Sequence, residues 1–445
     1  MSTTYSSDIT NLEKIPASLP AVRGFAGSQN HNVAIVGFGT VGSSVARMLT
    51  GREIPGLRLS HICNRNIERK RTNWIAEGVC WTEDTEAVLC PDVDIVVELM
   101  GGLEPAGTLV WRALKARKSV VTANKQLIAR HGLELARLAH EHGQQLLFGA
   151  SVAGGIPVIS GLQEGLAGDE LTAVAGILNG TCNYILTRIE STGVSFNEAL
   201  REAQKLGFAE ANPTEDIDGL DARAKLAILA RSALKVATTP DEIVTKTISM
   251  IQPVDFEYAR LLNCTIRQVS RAKRESDKLF ATVGPALVLQ SSAFASVTGG
   301  RNIVVTNGKF GGETAFAGQG AGGNPTAVAV ISDLMSIARW GRSTGTATWE
   351  IDPADLAVSA EFSTRHYLRF TVKDEPGIIA ALAAIFSGLN INIDSVFQKP
   401  GYPPSDMPFV ITLEACPASL VEMAMDHIKA LKFQTKPCVH LPILD

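Results

Sequence analysis

The stretch HNVAIVGFGTVGSSVARMLTG, residues 31 to 51, decides the fold of the N-terminal part of the chain. It begins with a short apolar segment, continues through Gly37, Gly39 and Gly42, and ends in a segment with helical periodicity. A strand, a G-x-G-x-x-G turn and a helix in this order bind the pyrophosphate of a dinucleotide, because glycines let the backbone approach it at the positive end of the helix. The spacing alone is a weak signal, and glycines that only turn a strand into a helix remain the alternative.

Four further apolar segments follow this turn, and each is typical of a buried strand. They are LRLSHICNRN (57–66), VDIVVELMGG (93–102), SVVTANK (119–125) and QQLLFGAS (144–151), with helical segments between them. Alternating strands and helices are typical of a parallel sheet covered by helices on both faces. Residues 31–150 are therefore predicted to form an α/β, Rossmann-type doubly wound parallel sheet that binds NAD or NADP.

The end of the second predicted strand bears on the choice of cofactor. An NAD site would carry Asp or Glu there to bind the ribose 2′-hydroxyl, whereas this chain has Asn64 and Arg65. A guanidinium group suits a 2′-phosphate, so NADP is favoured, with NAD still possible. The neighbouring Arg69, Lys70 and Arg71 leave open the alternative that this basic cluster is only a solvated helix start.

Residues 151–325 do not continue the regular alternation of strands and helices. They are predicted to form an α+β substrate and dimerisation domain. Both ELTAVAGILNGTCNYIL (170–186) and RNIVVTNGK (301–309) are typical of strands of an open sheet. Glycine clusters border the region, where backbone must come close to a ligand or ion. A helix within residues 326–345 is predicted to return to the nucleotide domain, and residues 346–365 are predicted to be a linker.

The last part of the chain, residues 366–445, predicts the order strand, helix, strand, strand, helix, strand. This is the ferredoxin-like pattern, and it includes the strand HYLRFTVK, the turn DEPG and the helix IIAALAAIFSGL. The region resembles an ACT domain, a family of small amino-acid-sensing modules. The resemblance implies a regulatory unit that sits outside the catalytic fold.

The composition excludes several classes of protein. A net charge of -4 with scattered Lys and Arg residues gives no basic surface for nucleic acid. The seven cysteines show no CxxC spacing, which argues against a disulfide framework or a zinc site and fits a reducing cytoplasm. Residues 1–30 are predicted to be a flexible tail without signal-peptide character, and no run of about 18 apolar residues predicts a membrane span.

The stretch DIDGLDARAKLAIL, residues 216 to 229, places a lysine on an apolar helix face. Lys225 follows Asp221 by one turn and falls between Ile228 and Leu229 on a helical wheel. This predicts a partly enclosed ammonium held by a carboxylate, an arrangement that tunes a lysine for proton transfer or for stabilising growing negative charge. The alternative is an i,i+4 pair on a solvated face.

Taken together, the motifs resemble homoserine dehydrogenase across nearly all of the chain beyond the N-terminal tail. The motifs that carry the resemblance are GFGTVG, VVELMGG, VVTANKQLIA, ASVAGGIPVI, GILNGTCNYIL, KLGFAEANPTEDIDGLDARAKLAIL and GQGAGGNPTA. Several independent motifs in the right order are far more specific than the glycine turn. The resemblance implies an enzyme that interconverts L-aspartate 4-semialdehyde and L-homoserine with a nicotinamide cofactor.

The resemblance also implies roles for individual residues in the reaction. Lys225 matches the proton donor, Asp221 would orient that ammonium and touch the substrate, and Lys125 would lie close to nicotinamide and substrate. Glu210 matches the carboxylate that binds the substrate's amino group, and Asp216 is expected among the substrate-binding residues. Two ammonium groups near one oxygen are expected to lower each other's pKa.

The same match implies a cofactor site and an ion site. Lys125 is expected to contact both the substrate and the cofactor. The other residues expected at the cofactor are Gly37, Phe38, Gly39, Thr40, Val41, Gly42, Arg65, Gly207 and Gly322. The backbone carbonyls expected to hold a monovalent cation, sodium or potassium, are those of Gly149, Val152, Gly154 and Ile156. Three departures weaken the transfer of these roles: Gly149 stands where glutamate is common, Asn212 where aspartate often precedes the proline, and Gln319 where proline is frequent.

Two other functions stay open at this point. Cys182 in NGTCNYI could be a thiol nucleophile, as in phosphorylating semialdehyde dehydrogenases, although a buried structural cysteine is the commoner state. A regulator that binds NADP and an amino acid without turnover could use the same folds. Paired ammonium groups argue against such a sensor.

The C-terminal module suggests an effector and an assembly. Asp374 and Gly377 in DEPGII, and Asn390 in GLNINI, occupy the places where related modules bind amino acids between paired copies. L-threonine, the product to which homoserine leads, is the expected effector, and a homo-oligomer, dimer or tetramer, is the expected assembly. A dimerisation module that has lost its ligand is the alternative.

Overall fold

The structure, a computed structural model, describes residues 30–340 and 352–444. The predicted N-terminal tail, apart from Asn30, lies outside these ranges, as do the end of the predicted return helix and the start of the predicted linker. No helix within the described ranges is long and apolar enough to cross a membrane. In the same ranges, no three His, Cys, Asp or Glu side chains are grouped so that they could hold a metal ion.

The N-terminal part forms a six-stranded sheet in the order β3-β2-β1-β4-β5-β6. Its strands are β1 (His31–Val36), β2 (Leu57–Cys63), β3 (Cys80–Thr82), β4 (Ile95–Glu98), β5 (Ser119–Thr122) and β6 (Leu146–Leu147). Its helices are α1 (Thr40–Gly51), α2 (Ala106–Lys115) and α3 (Lys125–Glu141). All five strand pairs are parallel. The predicted doubly wound parallel sheet is confirmed.

Both faces of this sheet are covered by apolar side chains. Within β1, Ala34 and Val36 join the core around α2 and α3, whereas Val33 and Ile35 join a second core on the other face. Successive side chains of a strand point to opposite faces, so a strand buried on both faces must be apolar throughout. This explains why its strands are continuous apolar runs.

The middle of the chain adds helices and a mixed sheet. Its helices are α4 (Val158–Ser160), α5 (Gly180–Thr192), α6 (Phe196–Lys205), α7 (Thr214–Ile217), α8 (Leu220–Leu234), α9 (Pro253–Leu261) and α10 (Gly323–Trp340). Its strands are β7 (Leu171–Ile177), β8 (Val236–Ala237), β9 (Val244–Thr245), β10 (Cys264–Glu275), β11 (Lys278–Leu289), β12 (Arg301–Gly308) and β13 (Gly312–Gln319). Helix α10 packs in the same core as Val33 and Ile35.

One predicted strand segment is partly helical. The stretch 170–186 forms β7 and then turns into α5, so the interpretation of NGTCNYIL as strand was wrong. The reason is local: the side chain of Asn179 accepts a hydrogen bond from the amide of Cys182 and caps the helix. This cap places Asn179 at the junction of β7 and α5.

The C-terminal part has the ferredoxin-like order predicted for an ACT domain. Its elements are β16 (Ser363–Val372), α11 (Ile378–Gly388), β17 (Ile393–Gln398), β18 (Met407–Pro417), α12 (Ala418–Ile428) and β19 (Gln434–Leu444), preceded by β14 (Ala354–Asp355) and β15 (Ala357–Ser359). Strands β14 and β15 pair with β8 and β11, so part of the predicted linker is bound to the sheets.

This module does not stand apart from the rest of the fold. Strand β19 pairs in parallel with β11 through Leu287, Val288, Ile443 and Leu444, which makes one continuous 11-stranded sheet. The expectation that the module sits outside the catalytic fold was therefore wrong. The cause lies in the last strand, whose end completes the edge of β11 and satisfies backbone groups there.

Candidate active site

The glycine turn after β1 requires residues without a side chain. Gly37 has a φ of 102°, and a Cβ added to it would lie 2.6 Å from the carbonyl oxygen of Leu99. A Cβ added to Gly42 would lie 2.0 Å from the carbonyl oxygen of Gly37. A Cβ on Gly39, by contrast, would meet nothing within 4 Å. The first and third glycines therefore permit close packing, and the second faces open space at the start of α1.

The end of β2 is tied to this turn by a side chain. The amide of Phe38 donates to Oδ1 of Asn64 at 2.9 Å, and Nδ2 of Asn64 donates to the carbonyl of Arg65 at 2.5 Å. The ring of Phe38 is buried and contacts the rings of Trp74 and Trp81. Arg65 is exposed. Asn64 thus holds the glycine turn and the backbone of Arg65 in one arrangement.

The start of α10 lies beside the start of α1. A Cβ on Gly323 would come within 2.9 Å of Oγ of Ser44 and Cγ2 of Thr40, and the preceding Gly322 has a φ of 121°. The structure therefore brings Gly322 close to the glycine turn after β1. Gly207, with a φ of 79°, lies in an exposed turn after α6.

Asp221 connects the two lysines singled out in the sequence. Its Oδ2 lies 2.7 Å from Nζ of Lys225, and its Oδ1 lies 3.0 Å from Nζ of Lys125. The side chains of Asp221 and Lys225 are only 9% and 14% exposed, and that of Lys125 is 34% exposed. Lys225 and Asp221 come from α8, as their i,i+4 spacing predicts, whereas Lys125 begins α3 at the end of β5.

Lys225 is held at a second point. Its Nζ also donates to the carbonyl oxygen of Leu178, at 2.8 Å, at the end of β7. A lysine ammonium has three hydrogens, so two are engaged within the protein and one remains. The remaining hydrogen is the one available to a bound molecule.

Asn179 belongs to the same cluster, although it was assigned no role within the motif GILNGTCNYIL. Its Nδ2 donates to Oδ2 of Asp221 at 2.9 Å and to Oδ1 of Asp216 at 2.6 Å, while its Oδ1 caps α5. The signal that could have found it is the Asn that precedes a helix in NGTCN. One side chain therefore positions two carboxylates.

The pKa values of the two acids in the cluster are shifted in opposite directions. Burial alone would raise the pKa of Asp221, but Lys225 and Lys125 outweigh it and hold that pKa well below its usual range. Burial raises the pKa of Asp216 despite the hydrogen bond from Asn179. Asp221 is therefore the permanent negative charge of the site.

The pKa of Lys125 is not lowered, although neighbouring ammonium groups were expected to lower each other's pKa. Burial works in that direction, but the attraction of Asp221 outweighs it and raises the pKa of Lys125. The expected decrease is wrong for Lys125, because a carboxylate lies between the two cations.

Glu210 is outside the hydrogen-bonded cluster formed by these residues. It is exposed in the segment between α6 and α7, and its backbone carbonyl accepts from Gln204. No described hydrogen bond or ion pair joins its carboxylate to Asp216, Asp221 or either lysine. The segment that carries it also holds Asn212, whose side chain binds Thr214 at the start of α7.

Cys182 has the environment of a structural cysteine. It is fully buried, its Sγ donates to the carbonyl of Asp216 at 3.1 Å, and burial raises the pKa of its thiol well above the ordinary value. The reactive form of a cysteine is the thiolate, which this environment disfavours. The geometry therefore argues against a thiol nucleophile.

The loop that carries the four expected carbonyl ligands is buried between the domains. Ala153 and Gly154 have left-handed φ values of 55° and 51°, and the carbonyl of Ile156 also accepts from the amide of Val158. A Cβ on Gly149 would lie 2.9 Å from Oδ1 of Asp333 on α10, whose Oδ2 accepts from the amide of Gly149. The carboxyl of Asp333 thus occupies space that a side chain at position 149 would need.

Comparisons with known proteins agree with these features. Family models match residues 37–149 (homoserine dehydrogenase, NAD binding domain), 157–335 (homoserine dehydrogenase) and 366–430 (ACT domain). The homoserine dehydrogenase of Mycobacterium tuberculosis (strain ATCC 25618 / H37Rv) is 41% identical over 380 residues, 82% of this chain and 86% of the relative. That of Bacillus subtilis (strain 168) is 35% identical over 378 residues, 83% and 87% of the two chains.

Two solved structures extend the comparison to three dimensions. The homoserine dehydrogenase of Thiobacillus denitrificans superposes with a TM-score of 0.87 at 33% identity, covering 95% of this chain and 100% of that one. A hyperthermophilic archaeal homoserine dehydrogenase in complex with NADPH superposes with a TM-score of 0.59 at 27% identity, covering 69% of this chain and 97% of that one.

Proposed function

The chain belongs to the homoserine dehydrogenase family, and on this premise we propose that Lys125, Asp221 and Lys225 form its catalytic centre. It is an oxidoreductase that uses a nicotinamide cofactor and interconverts L-aspartate 4-semialdehyde and L-homoserine. The observation that carries the assignment of residues is the carboxylate of Asp221 between two ammonium groups.

Reduction of the aldehyde needs a proton donor beside the carbonyl oxygen. A hydride, which the nicotinamide cofactor supplies when bound, adds to the carbonyl carbon, and a proton must reach the oxygen as negative charge grows there. Lys225 gives this proton from the hydrogen that neither Leu178 nor Asp221 engages. In the reverse direction the neutral amine of Lys225 takes the hydroxyl proton of L-homoserine.

Asp221 and Asn179 act as positioning residues in this proposal. Oδ2 of Asp221 already accepts hydrogen bonds from Lys225 and Asn179, and Oδ1 accepts one from Lys125. One acceptor position of Oδ1 remains for the substrate, since each carboxylate oxygen has two. The ammonium of Lys125, less buried than that of Lys225, contacts the substrate next to the nicotinamide.

The carboxylates of Glu210 and Asp216 would bind the ammonium group of the substrate. Asp216 lies next to the cluster through Asn179, whereas Glu210 is on an exposed segment between α6 and α7. In this proposal Glu210 contacts that ammonium group from the segment between α6 and α7, which also carries Gly207 beside the cofactor.

We propose NADP as the preferred cofactor. The start of α1 has no acidic residue in its first turn, which suits the pyrophosphate at Gly39, Thr40 and Val41. No carboxylate follows β2 in the position that binds a ribose 2′-hydroxyl, and the exposed Arg65 is free to meet a 2′-phosphate.

A sodium or potassium ion is proposed at the loop between the two catalytic domains. Its ligands would be the backbone carbonyls of Gly149, Val152, Gly154 and Ile156. The left-handed, non-glycine Ala153 supports the proposal, because such a conformation persists only where the surroundings enforce it. The carboxyl of Asp333 adds oxygen atoms beside Gly149.

The C-terminal module is proposed to bind L-threonine and to take part in a homo-oligomer. Asp374 is exposed at the start of the turn, Gly377 has a φ of 95° at the start of α11, and Asn390 has a φ of 55°. These exposed groups could face a second copy of the module. Threonine would inhibit only if it bound an inactive arrangement better than the active one.

The direct test of the activity is a spectrophotometric assay with the full chain. NADPH should be oxidised when L-aspartate 4-semialdehyde is added, and NADP should be reduced when L-homoserine is added. Absence of turnover in both directions, with NADPH still bound, would contradict the proposal and favour a sensor.

A further inference from the structure

A pocket lies where the C-terminal module meets the catalytic sheet, away from the active site. Strands β9, β10 and β11 form one wall, and β16, α12 and β19 form the other. Ala272 packs in the core around α8, so its neighbour Arg271 points to the opposite face of the sheet, into this pocket. The pocket and the active site thus lie on opposite faces of the same sheet.

Arg271 is a partly buried cation without an acidic partner. Its Nε makes one long contact, 3.4 Å, with Oγ1 of Thr282, and its guanidinium carbon lies 3.8 Å from the ring centre of Phe362. No carboxylate of the described residues forms an ion pair with it. Burial lowers the pKa of Arg271 to about 10. A guanidinium in this state has unused donors and favours an anion.

A second cation lies in the same pocket. Burial and the proximity of Arg271 lower the pKa of Lys246, while Glu422 raises it. The ammonium of Lys246 lies 3.9 Å from Oε1 of Glu422 on α12. Counting only the residues that the structure describes, the pocket holds two cations and one carboxylate, which leaves one positive charge unmatched.

An unpartnered hydroxyl lines the pocket as well. Oγ1 of Thr364, at the start of β16, is buried and has no hydrogen-bond partner in the described part of the chain. A buried polar group without a partner is costly, and an exogenous molecule can supply the partner. Most of the remaining wall is apolar, including Val269, Phe362 and Leu444.

We propose that this pocket is a binding site for a short aliphatic carboxylate. One carboxylate matches the unpaired charge of Arg271, accepts from Thr364, and places its alkyl group against the apolar wall. Two sources share this chemistry, a simple carboxylic acid and an aliphatic α-amino acid. In the second case Glu422 receives the ammonium group.

The site spans two parts of the chain, so its occupancy has a measurable effect on stability. A ligand that contacts Arg271 on one side and Thr364 on the other binds only when the module is docked on the sheet. Binding to the folded state alone raises the unfolding temperature with ligand concentration.

The test is calorimetric titration of the full-length enzyme with sodium 3-methylbutyrate and, separately, L-valine, each at constant ionic strength. Wild type is expected to bind at least one of the two saturably, and Arg271→Gln to bind that probe at least about tenfold more weakly. Lys273→Gln is the matched control, since Lys273 lies on the same strand and the same face but outside the pocket. Its affinity should equal that of wild type.

Two further variants separate the source of the carboxylate and guard against misfolding. Glu422→Gln should weaken the binding of L-valine and leave the affinity for 3-methylbutyrate unchanged. Thr364→Val should keep or raise the unfolding temperature measured without ligand, because it removes an unpartnered hydroxyl. It should also lower the affinity for the probe about threefold or more. Failure of both probes to bind wild type, or equal affinities of wild type, Arg271→Gln and Thr364→Val, would overturn the proposal.

Discussion

Nε of Arg369 in the C-terminal module donates to Oδ1 of Asp255 on α9 at 2.6 Å, and the two side chains are 2% and 0% exposed. The hydroxyl of Tyr367 donates to the same oxygen at 2.8 Å. A buried pair of this kind need not add stability relative to apolar residues, but losing one partner leaves a buried charge unpaired. The catalytic part and the module are therefore one folded unit.

Replacing Arg369 with Met should destabilise the enzyme strongly. The carboxylate of Asp255 would keep only neutral donors, so the free energy of unfolding should fall by about 3 kcal/mol or more. Urea denaturation followed by circular dichroism measures this change. Lys373→Met, an exposed position just after β16, should change it by less than about 0.5 kcal/mol. A similar small effect at Arg369 would show that the pair does not hold the module.

The same contacts decide how threonine control should be tested. A chain ending near Ser363 would leave Asp255 unpaired and the edge of β11 exposed, so we expect it to misfold rather than to lose regulation alone. Asp374→Ala is the better change, because this exposed side chain has no described partner. It should raise the threonine concentration for half-inhibition at least about tenfold, without changing kcat in its absence.

Asp277→Ala, an exposed acid in the turn between β10 and β11, is the matched control for that change. Its threonine titration should coincide with that of wild type. If wild type does not respond to threonine at all, the module serves assembly and not sensing.

Lys225→Ala should abolish most of the turnover. Proton transfer by a positioned group is worth roughly 10²- to 10⁴-fold, so kcat should fall by that factor while the Kd for NADPH stays close to that of wild type. Steady-state kinetics and fluorescence titration with NADPH measure the two quantities. Lys115→Ala, at an exposed position at the end of α2, should retain wild-type kcat. Turnover near that of wild type in Lys225→Ala would exclude it as proton donor.

Arg65→Ala tests the choice of cofactor. The wild type should use NADPH better than NADH, and loss of a charged contact to the 2′-phosphate should raise KM for NADPH roughly tenfold or more. KM for NADH should hardly change, since NADH has no 2′-phosphate. Arg58→Ala, exposed on β2, is the control. Equal losses with both cofactors would indicate that Arg65 acts on the fold and not on the phosphate.

Local patterns in the sequence were sufficient to predict those features that depend on residues close to one another along the chain. The glycine spacing after β1 and the i,i+4 pair of Asp221 and Lys225 both follow from chain geometry. The approach of Lys125 to Asp221 does not, because it joins residues nearly a hundred positions apart. Only the family resemblance suggested that Lys125 belongs to the site.

Other features depend on tertiary packing that no local pattern encodes. The carboxyl of Asp333 beside Gly149 comes from a residue 184 positions later. The junction of β19 with β11 rests on the pairs Leu287 with Ile443 and Val288 with Leu444, next to Pro442. Proline is typical of edge strands, so the sequence of β19 did not indicate a strand inside a larger sheet.

The histidine pair at the junction of the module and the sheet predicts acid sensitivity. Nε2 of His366 faces the carbonyl of Cys416 at 3.0 Å, so it carries the hydrogen, and Nδ1 accepts from Nε2 of His440 at 3.0 Å. Burial lowers the pKa of His366 and, together with Lys246, that of His440. Arg271 also faces the pair, and the carboxylate of Glu422 lines the same pocket.

Because both folded-state pKa values lie below the unfolded value of 6.5, the unfolded chain binds more protons as the pH falls below about 6.5. The contribution of the histidine pair to the free energy of unfolding should therefore be constant above that pH and then fall, by up to about 1.4 kcal/mol per pH unit for each histidine. Burial raises the pKa of Asp333 to about 7, so its protonation acts in the opposite direction in this range, and the comparison of wild type with His440→Gln cancels that effect. Urea denaturation between pH 7.5 and pH 5, both chosen as rough limits around the histidine range, measures the slope. His440→Gln should reduce the slope by about one proton, and His427→Gln, exposed on α12, should leave it unchanged. Equal slopes in wild type and His440→Gln would show that other groups cause the acid sensitivity.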